Sequence, residues 1–257
     1  MEEEGNKTRQ DPEAVNEFCE NLLKGYPENG YVRFVVGVHH YGKANKDAAI
    51  SEYKKAAKLL PKFPLPYYQI GVMYWQDGDY NQSITYLDEA MKADPDYAPA
   101  HFAKGRTYQS MSRFDAAIAQ YKKAIEIIES KGTTNGEQLG KAYYNWGWIL
   151  LNLSAPDNDQ AIVVLTKAIR ADAGYLDGYN QLGIAYKRRG KFKEAVNCYQ
   201  EAIKHGDSSA RIYFNLGVAH FRSGNSAEAS AAFQKAISLD PNGQAGSLAR
   251  QWLNNVK

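Results

Sequence analysis

The chain has 257 residues with 31 basic and 29 acidic side chains, so its formal charge of +2 creates no global pull towards nucleic acid or an acidic membrane surface. Its two cysteines, Cys19 and Cys198, form no CxxC pair, which argues against a disulfide framework and suits a reducing compartment. Apolar runs such as Trp148–Leu151 fall far short of the roughly twenty apolar residues of a membrane-spanning helix, so no membrane insertion is expected.

Residues 1–12 open with MEEEGNKTRQ and read as a disordered leader, with no apolar core of a signal peptide. A cytoplasmic location is the expectation, with a periplasmic or anchored protein as the alternative if an upstream segment has been removed. Residues 13–29 carry Val15, Cys19 and Leu22 at helical offsets before Pro27 and read as a lone helix, half of a repeat.

From residue 30 the chain becomes periodic. Glycines stand in register inside helical patterns at Gly37, Gly71, Gly105, Gly147, Gly183 and Gly217. Most of these steps are 34 residues; one is 42 and one is 36. A mid-helix glycine costs about 1 kcal/mol relative to alanine, so its recurrence requires a reason, and close approach of a neighbouring helix supplies one. Bulky residues recur in step, at Tyr53, Leu87, Tyr121, Leu165, Tyr199 and Phe233. Each is preceded four positions earlier by a small residue (Ala49, Ser83, Ala117, Ala161, Ala195, Ala229) and followed three later by alanine. Offsets of four and three place each set on one helix face.

Six units result: 30–63, 64–97, 98–131, 140–175, 176–209 and 210–243. Gly78-Asp79, Gly190-Lys191 and Gly224-Asn225 mark turns within units, and Pro61, Pro95 and Pro241 close second helices. The third unit is the poorest copy: His101 and Lys104 stand where the pattern wants an aromatic and an aliphatic residue, and a buried lysine must pair, snorkel or lose its charge. Residues 132–139 form a loop insertion after a lengthened helix, read either as a hinge or as a tolerated surface insertion. Residues 244–257 place Ala245, Leu248, Trp252, Leu253 and Val256 on one face, as a terminal cap requires.

The unit 210–243, with Tyr213, Leu216, Gly217, Ala229, Phe233, Ala236 and Pro241, resembles a tetratricopeptide repeat, and the likeness extends over residues 13–257. It implies an all-α fold: a right-handed superhelical solenoid of antiparallel helix pairs, six repeats plus terminal capping helices, with first helices lining a concave groove. On that basis the groove residues are Phe34, Val38, Tyr68, Val72, Trp75, Phe102, Arg106, Tyr144, Asn145, Trp148, Asn180, Ile184, Lys187, Arg211, Asn215 and Val218.

One place in this set stands out. Val38, Val72, Trp148, Ile184 and Val218 make it apolar in five of six units, where the family pattern carries a polar residue. Such a stripe is either a binding groove or further structural packing. Asn145 and Asn215 resemble part of the asparagine ladder in the repeat domain of protein O-linked N-acetylglucosamine transferases. The carboxylate clamp of chaperone-binding repeats is not matched: only Arg211 keeps the required charge, while Tyr144, Trp148, Gln181 and Asn215 stand at the other places.

Catalytic and metal signatures are missing: there is no HExxH, P-loop, GxSxG or zinc spacing, so no catalytic residue, metal or cofactor is expected. His40 and His220 replace the tyrosine of other copies and read as core substitutes with a satisfied ring nitrogen. The function expected is a non-catalytic scaffold or adaptor whose groove takes a protein or peptide partner. The alternatives are a self-assembling homo-oligomer and the targeting module of a larger enzyme.

Overall fold

The computed structural model describes residues 12–132 and 135–256, and its described residues form fourteen α-helices. The leader expected over residues 1–12 lies outside the described residues but for Pro12, which opens the first helix. In chain order the helices are α1 (Pro12–Gly25), α2 (Gly30–Gly42), α3 (Lys46–Leu59), α4 (Pro64–Gln76), α5 (Tyr80–Ala93), α6 (Ala98–Ser110) and α7 (Phe114–Ser130). They continue as α8 (Gly136–Asn152), α9 (Asn158–Ala171), α10 (Leu176–Arg188), α11 (Phe192–Lys204), α12 (Ala210–Arg222), α13 (Ser226–Leu239) and α14 (Gln244–Leu253).

Local chemistry sets the ends. Asn45, Asp79, Asn135 and Asp157 each accept a backbone N–H from the third residue on, satisfying donors that the first helical turn leaves free. Pro64 and Pro99 sit in first turns, where a missing N–H costs nothing. Between the helices of three pairs the chain reverses through a left-handed glycine, Gly78, Gly190 and Gly224. Ala44 and Ser112 take the same conformation at φ 57°, at a cost of about 1–2 kcal/mol each. Sequence reading found the three glycine turns and missed these two.

The chain separates into two compact units that divide between Arg113 and Phe114, inside the third repeat; the loop expected over residues 132–139 is shorter than that, because residues 136–139 form the first turn of α8, capped by Asn135. The first unit holds α1 to α6 and the second α7 to α14. Within each, successive helices pair: α2 with α3 and α4 with α5 in the first, then α8 with α9, α10 with α11 and α12 with α13 in the second.

The registered residues form the pair interfaces. All six bulky residues, with their flanking small ones, are 0–1% exposed. A Cβ placed on Gly37 would stand 2.6 Å from the Tyr53 ring, and one on Gly217 would stand 2.6 Å from Phe233, so the glycines are the floor on which each large side chain rests. Gly71 and Gly147 meet Leu87 and Leu165 in the same way.

Lys104, out of pattern in the third repeat, is 12% exposed and ion-pairs with Asp88, with its ammonium 5.6 Å from the Tyr108 ring centre. Of the options open to it, pairing is the one realised. Helix α14 packs on α12 and α13: Ala249 is fully buried, and Trp252 meets Phe221 and Phe233 with ring centres 5.6 and 6.2 Å away.

One core expectation is corrected. His220 is 8% exposed, yet its Nδ1 has no hydrogen-bond partner among the described residues. Burial pushes its pKa down, only partly offset by Glu228. The folded pKa therefore lies below the unfolded value of about 6.5, and His220 contributes full stability only above it. His39 is depressed in the same sense, by burial first and then by Lys43 and His40. Urea-unfolding midpoints are thus expected to fall as pH is lowered from about 7.5 to about 5.5, and His220→Tyr to flatten that slope. An unchanged slope in the variant would contradict the assignment.

Candidate partner-binding patches

Each unit carries its own share of the residues expected in a groove. In the first, Phe34 is spent on packing, its ring 5.5 Å from Tyr53 and 5.3 Å from Phe63. Val38, one turn further along α2, remains 44% exposed. Tyr68, Val72 and Trp75 of α4 and Phe102 and Arg106 of α6 line one cavity, floored by Ser83, Leu87, Ala103 and Thr107. Its polar floor is satisfied internally: Ser83 and Thr107 hydroxyls lie 3.1 Å apart, and Thr107 also donates to the Ala103 carbonyl.

Over the cavity mouth, the Arg106 guanidinium stacks 4.0 Å from the Trp75 ring centre, while Trp75 Nε1 donates to Ser110 Oγ at 3.1 Å. Tyr68 packs edge-on against Tyr97 at 5.6 Å, and burial raises its phenol pKa despite Arg106. Together these supply an apolar slot with one cation at its lip.

In the second unit, Tyr144 packs edge-on against Tyr175 at 4.9 Å. Burial and then Asp177 raise its phenol pKa, with Arg211 opposing. Trp148 and Ile184 are half-buried. Arg211 is exposed and bound to Asp177 at 3.0 Å. Lys187 donates to Asn215 Oδ1 at 3.1 Å, and Asn215 Nδ2 donates to Asn180 Oδ1 at 3.0 Å.

Several expected contact residues are placed elsewhere. Val218 is 7% exposed, in a cluster with Phe233 and Ala249, because α14 packs on this repeat. Asn180 and Asn215 are 1% and 7% exposed and spend their amides on each other and on Lys187. Asn145 donates to the Lys141 carbonyl of its own helix. These amides support the patch from beneath, and the part of the ladder read from Asn145 and Asn215 serves internal bonding.

Sequence reading missed the polar rungs that tie successive first helices together. Tyr41 meets Gln76, Trp75 meets Ser110, and Arg188 donates to the Leu151 carbonyl, at separations of 35, 35 and 37 residues. The signal was a hydrogen-bonding residue about one period after each member of the set, visible once residues 34 to 37 apart are compared.

Paired helices and registered contacts between glycines and large side chains define a helical-repeat protein. Models of the tetratricopeptide repeat match residues 65–130 and 180–244, together about half of the chain, and the protein belongs to the tetratricopeptide repeat family. Members of this family generally mediate protein–protein interaction.

Superkiller complex protein 3 of Mus musculus is 21% identical over 234 residues, covering 79% of this chain but 15% of that protein. The human counterpart is covered to 14%, so this chain corresponds to a small part of these long relatives. Photosystem I assembly protein Ycf3 of Synechococcus is 30% identical over 142 residues, covering 49% of this chain and 80% of that protein. Among solved structures, that of YrrB, described as a tetratricopeptide repeat protein with an unusual peptide-binding site, aligns with a TM-score of 0.63 at 20% identity, covering 77% of this chain and 97% of its own. That likeness is one of fold.

Proposed function

We propose that the protein is a non-catalytic scaffold or adaptor that holds an extended or amphipathic segment of a partner against the apolar residues of its first helices. The observation that carries this reading is the exposure of one registered place. Val38 is 44% exposed, and Val72, Trp148 and Ile184 are each half-buried, although all four are apolar and packing alone would favour covering them. The slot lined by Tyr68, Val72, Trp75 and Phe102 suits an apolar anchor residue, the usual way a groove takes a peptide.

A role without catalysis fits the state of the thiols. Both cysteines are buried, and burial raises Cys198 to about 12 and also raises Cys19, which suppresses the reactive thiolate. Ycf3 is named as an assembly protein, and assembly is the kind of task proposed here, without transfer of its target.

The test is selection of a random linear peptide library on the immobilised full chain, followed by fluorescence anisotropy with the recovered peptides. Binding that is lost on substituting Val38 or, for peptides of the second unit, Trp148 supports the reading; binding indifferent to both defeats it.

A further inference from the structure

The patch of the second unit holds more hydrogen-bond donors than its own residues satisfy. Lys187 is half-buried on α10 and forms no ion pair among the described residues; its one hydrogen bond goes to a neutral amide oxygen, Asn215 Oδ1. Asn215 is fixed in that orientation by donating through Nδ2 to Asn180 Oδ1. Turning either amide would set N–H against N–H or against the ammonium. Both amide oxygens are thus engaged, while Asn180 Nδ2, on a residue 1% exposed, has no partner among the described residues. An ammonium carries three donors and here uses one.

The neighbouring charges do not relieve this. Asp177, the acid on the same helix, is committed to Arg211 at 3.0 Å. Arg188 beside Lys187 is positive and donates to the Leu151 carbonyl. Burial and then Arg188 both disfavour the charged form of Lys187, so the site gains from an anion and has none of its own. Trp148 and Ile184 lie in the same groove set, on α8 and α10 of this unit. The cation of the chaperone-tail clamp kept in the sequence, Arg211, is already neutralised by Asp177, whereas Lys187 stands outside that pattern and is not neutralised.

We propose that Lys187, oriented by the Asn215–Asn180 amide pair, receives the carboxylate of an acidic side chain on the partner segment. The second unit thereby reads an acidic residue flanked by apolar ones. The proposal rests on the groove reading above and adds the chemistry of its ligand.

The test compares selections from the same random peptide library on the wild-type chain and on Lys187→Gln. The glutamine amide can keep a donor for Asn215 Oδ1 while removing the charge, and circular dichroism with urea unfolding checks that the variant is folded. The wild type is expected to enrich an acidic residue between apolar anchors, and the Lys187→Gln selection to lose that preference. A recovered peptide should weaken about tenfold when its acid is changed to the amide, about tenfold on Lys187→Gln, and no further when both changes are combined.

Acid enrichment that persists on Lys187→Gln would overturn the proposal, as would recovered peptides that depend on Trp148 but show no acid preference. The acid-to-amide change in the peptide reads the same question on the wild-type protein, independently of how the variant folds. Recovery of peptides that all ignore Val38 and Trp148 would remove the groove reading, and this proposal with it.

Discussion

Phe233→Ala is expected to lower the free energy of unfolding by about 3–5 kcal/mol, the largest effect of any single substitution considered. Phe233 is 0% exposed and is wedged between Gly217 on α12 and Trp252 on α14, with Phe214 6.1 Å away. Truncation removes the contact that joins three helices at once, and the rigid helices around it collapse only partly into the space. Gly217→Ala probes the same contact from the other side. Its new methyl would meet the Phe233 ring at 2.6 Å, and the overpacking of about 1–3 kcal/mol outweighs the helix-propensity gain of about 1 kcal/mol. Urea unfolding followed by circular dichroism measures both. A loss below about 1 kcal/mol for Phe233→Ala would mean that the ring–glycine register is not what holds this repeat together.

Trp148→Glu is expected to weaken a peptide selected on the second unit by about 30-fold, as Val38→Glu is for one selected on the first, because a buried anchor residue accounts for roughly 2 kcal/mol of binding. Val38 is 44% exposed, so a carboxylate there is solvated in the free protein, and Trp148 is half-buried. In the complex each carboxylate would face an apolar anchor with no partner, and the desolvation penalty falls on binding. Each variant should therefore keep most of its unfolding free energy while losing its peptide. Equal affinity in variant and wild type would place the peptide elsewhere.

The core and patch substitutions differ in how plainly the sequence announces them. The glycine–ring contact was legible because packing between neighbouring helices repeats, and repetition at Gly37, Gly183 and Gly217 shows a constraint that no single copy would. The stack itself was legible for the same reason. The division between Arg113 and Phe114 was not, since it falls inside a repeat whose pattern residues Ala117, Tyr121 and Ala124 remain in register.

The patch was only partly legible. Stepping along a helix by three and four identified Val38, Val72, Trp75 and Trp148 as residues on one face, and they do retain exposure. It could not separate surface from support, because Asn180 and Asn215 lie on the same stripe and are buried by a hydrogen bond between helices 35 residues apart. Val218 escaped for a related reason: its cover is α14, which lies outside the repeat pattern. Lys187 was readable as one of several late basic residues. Only the placement of carboxylates sets it apart, with Arg211 neutralised and Lys187 not.

The central claim, that partner segments lie along the first helices, is tested most directly by methyl and tryptophan NMR of the full chain titrated with a selected peptide. The account predicts the largest shifts at Val38, Val72 and Trp75 for a peptide taken by the first unit, and at Trp148 and Ile184 for one taken by the second. Shifts confined to exposed residues of the second helices, such as Val163 on α9 and Leu239 on α13, would contradict it.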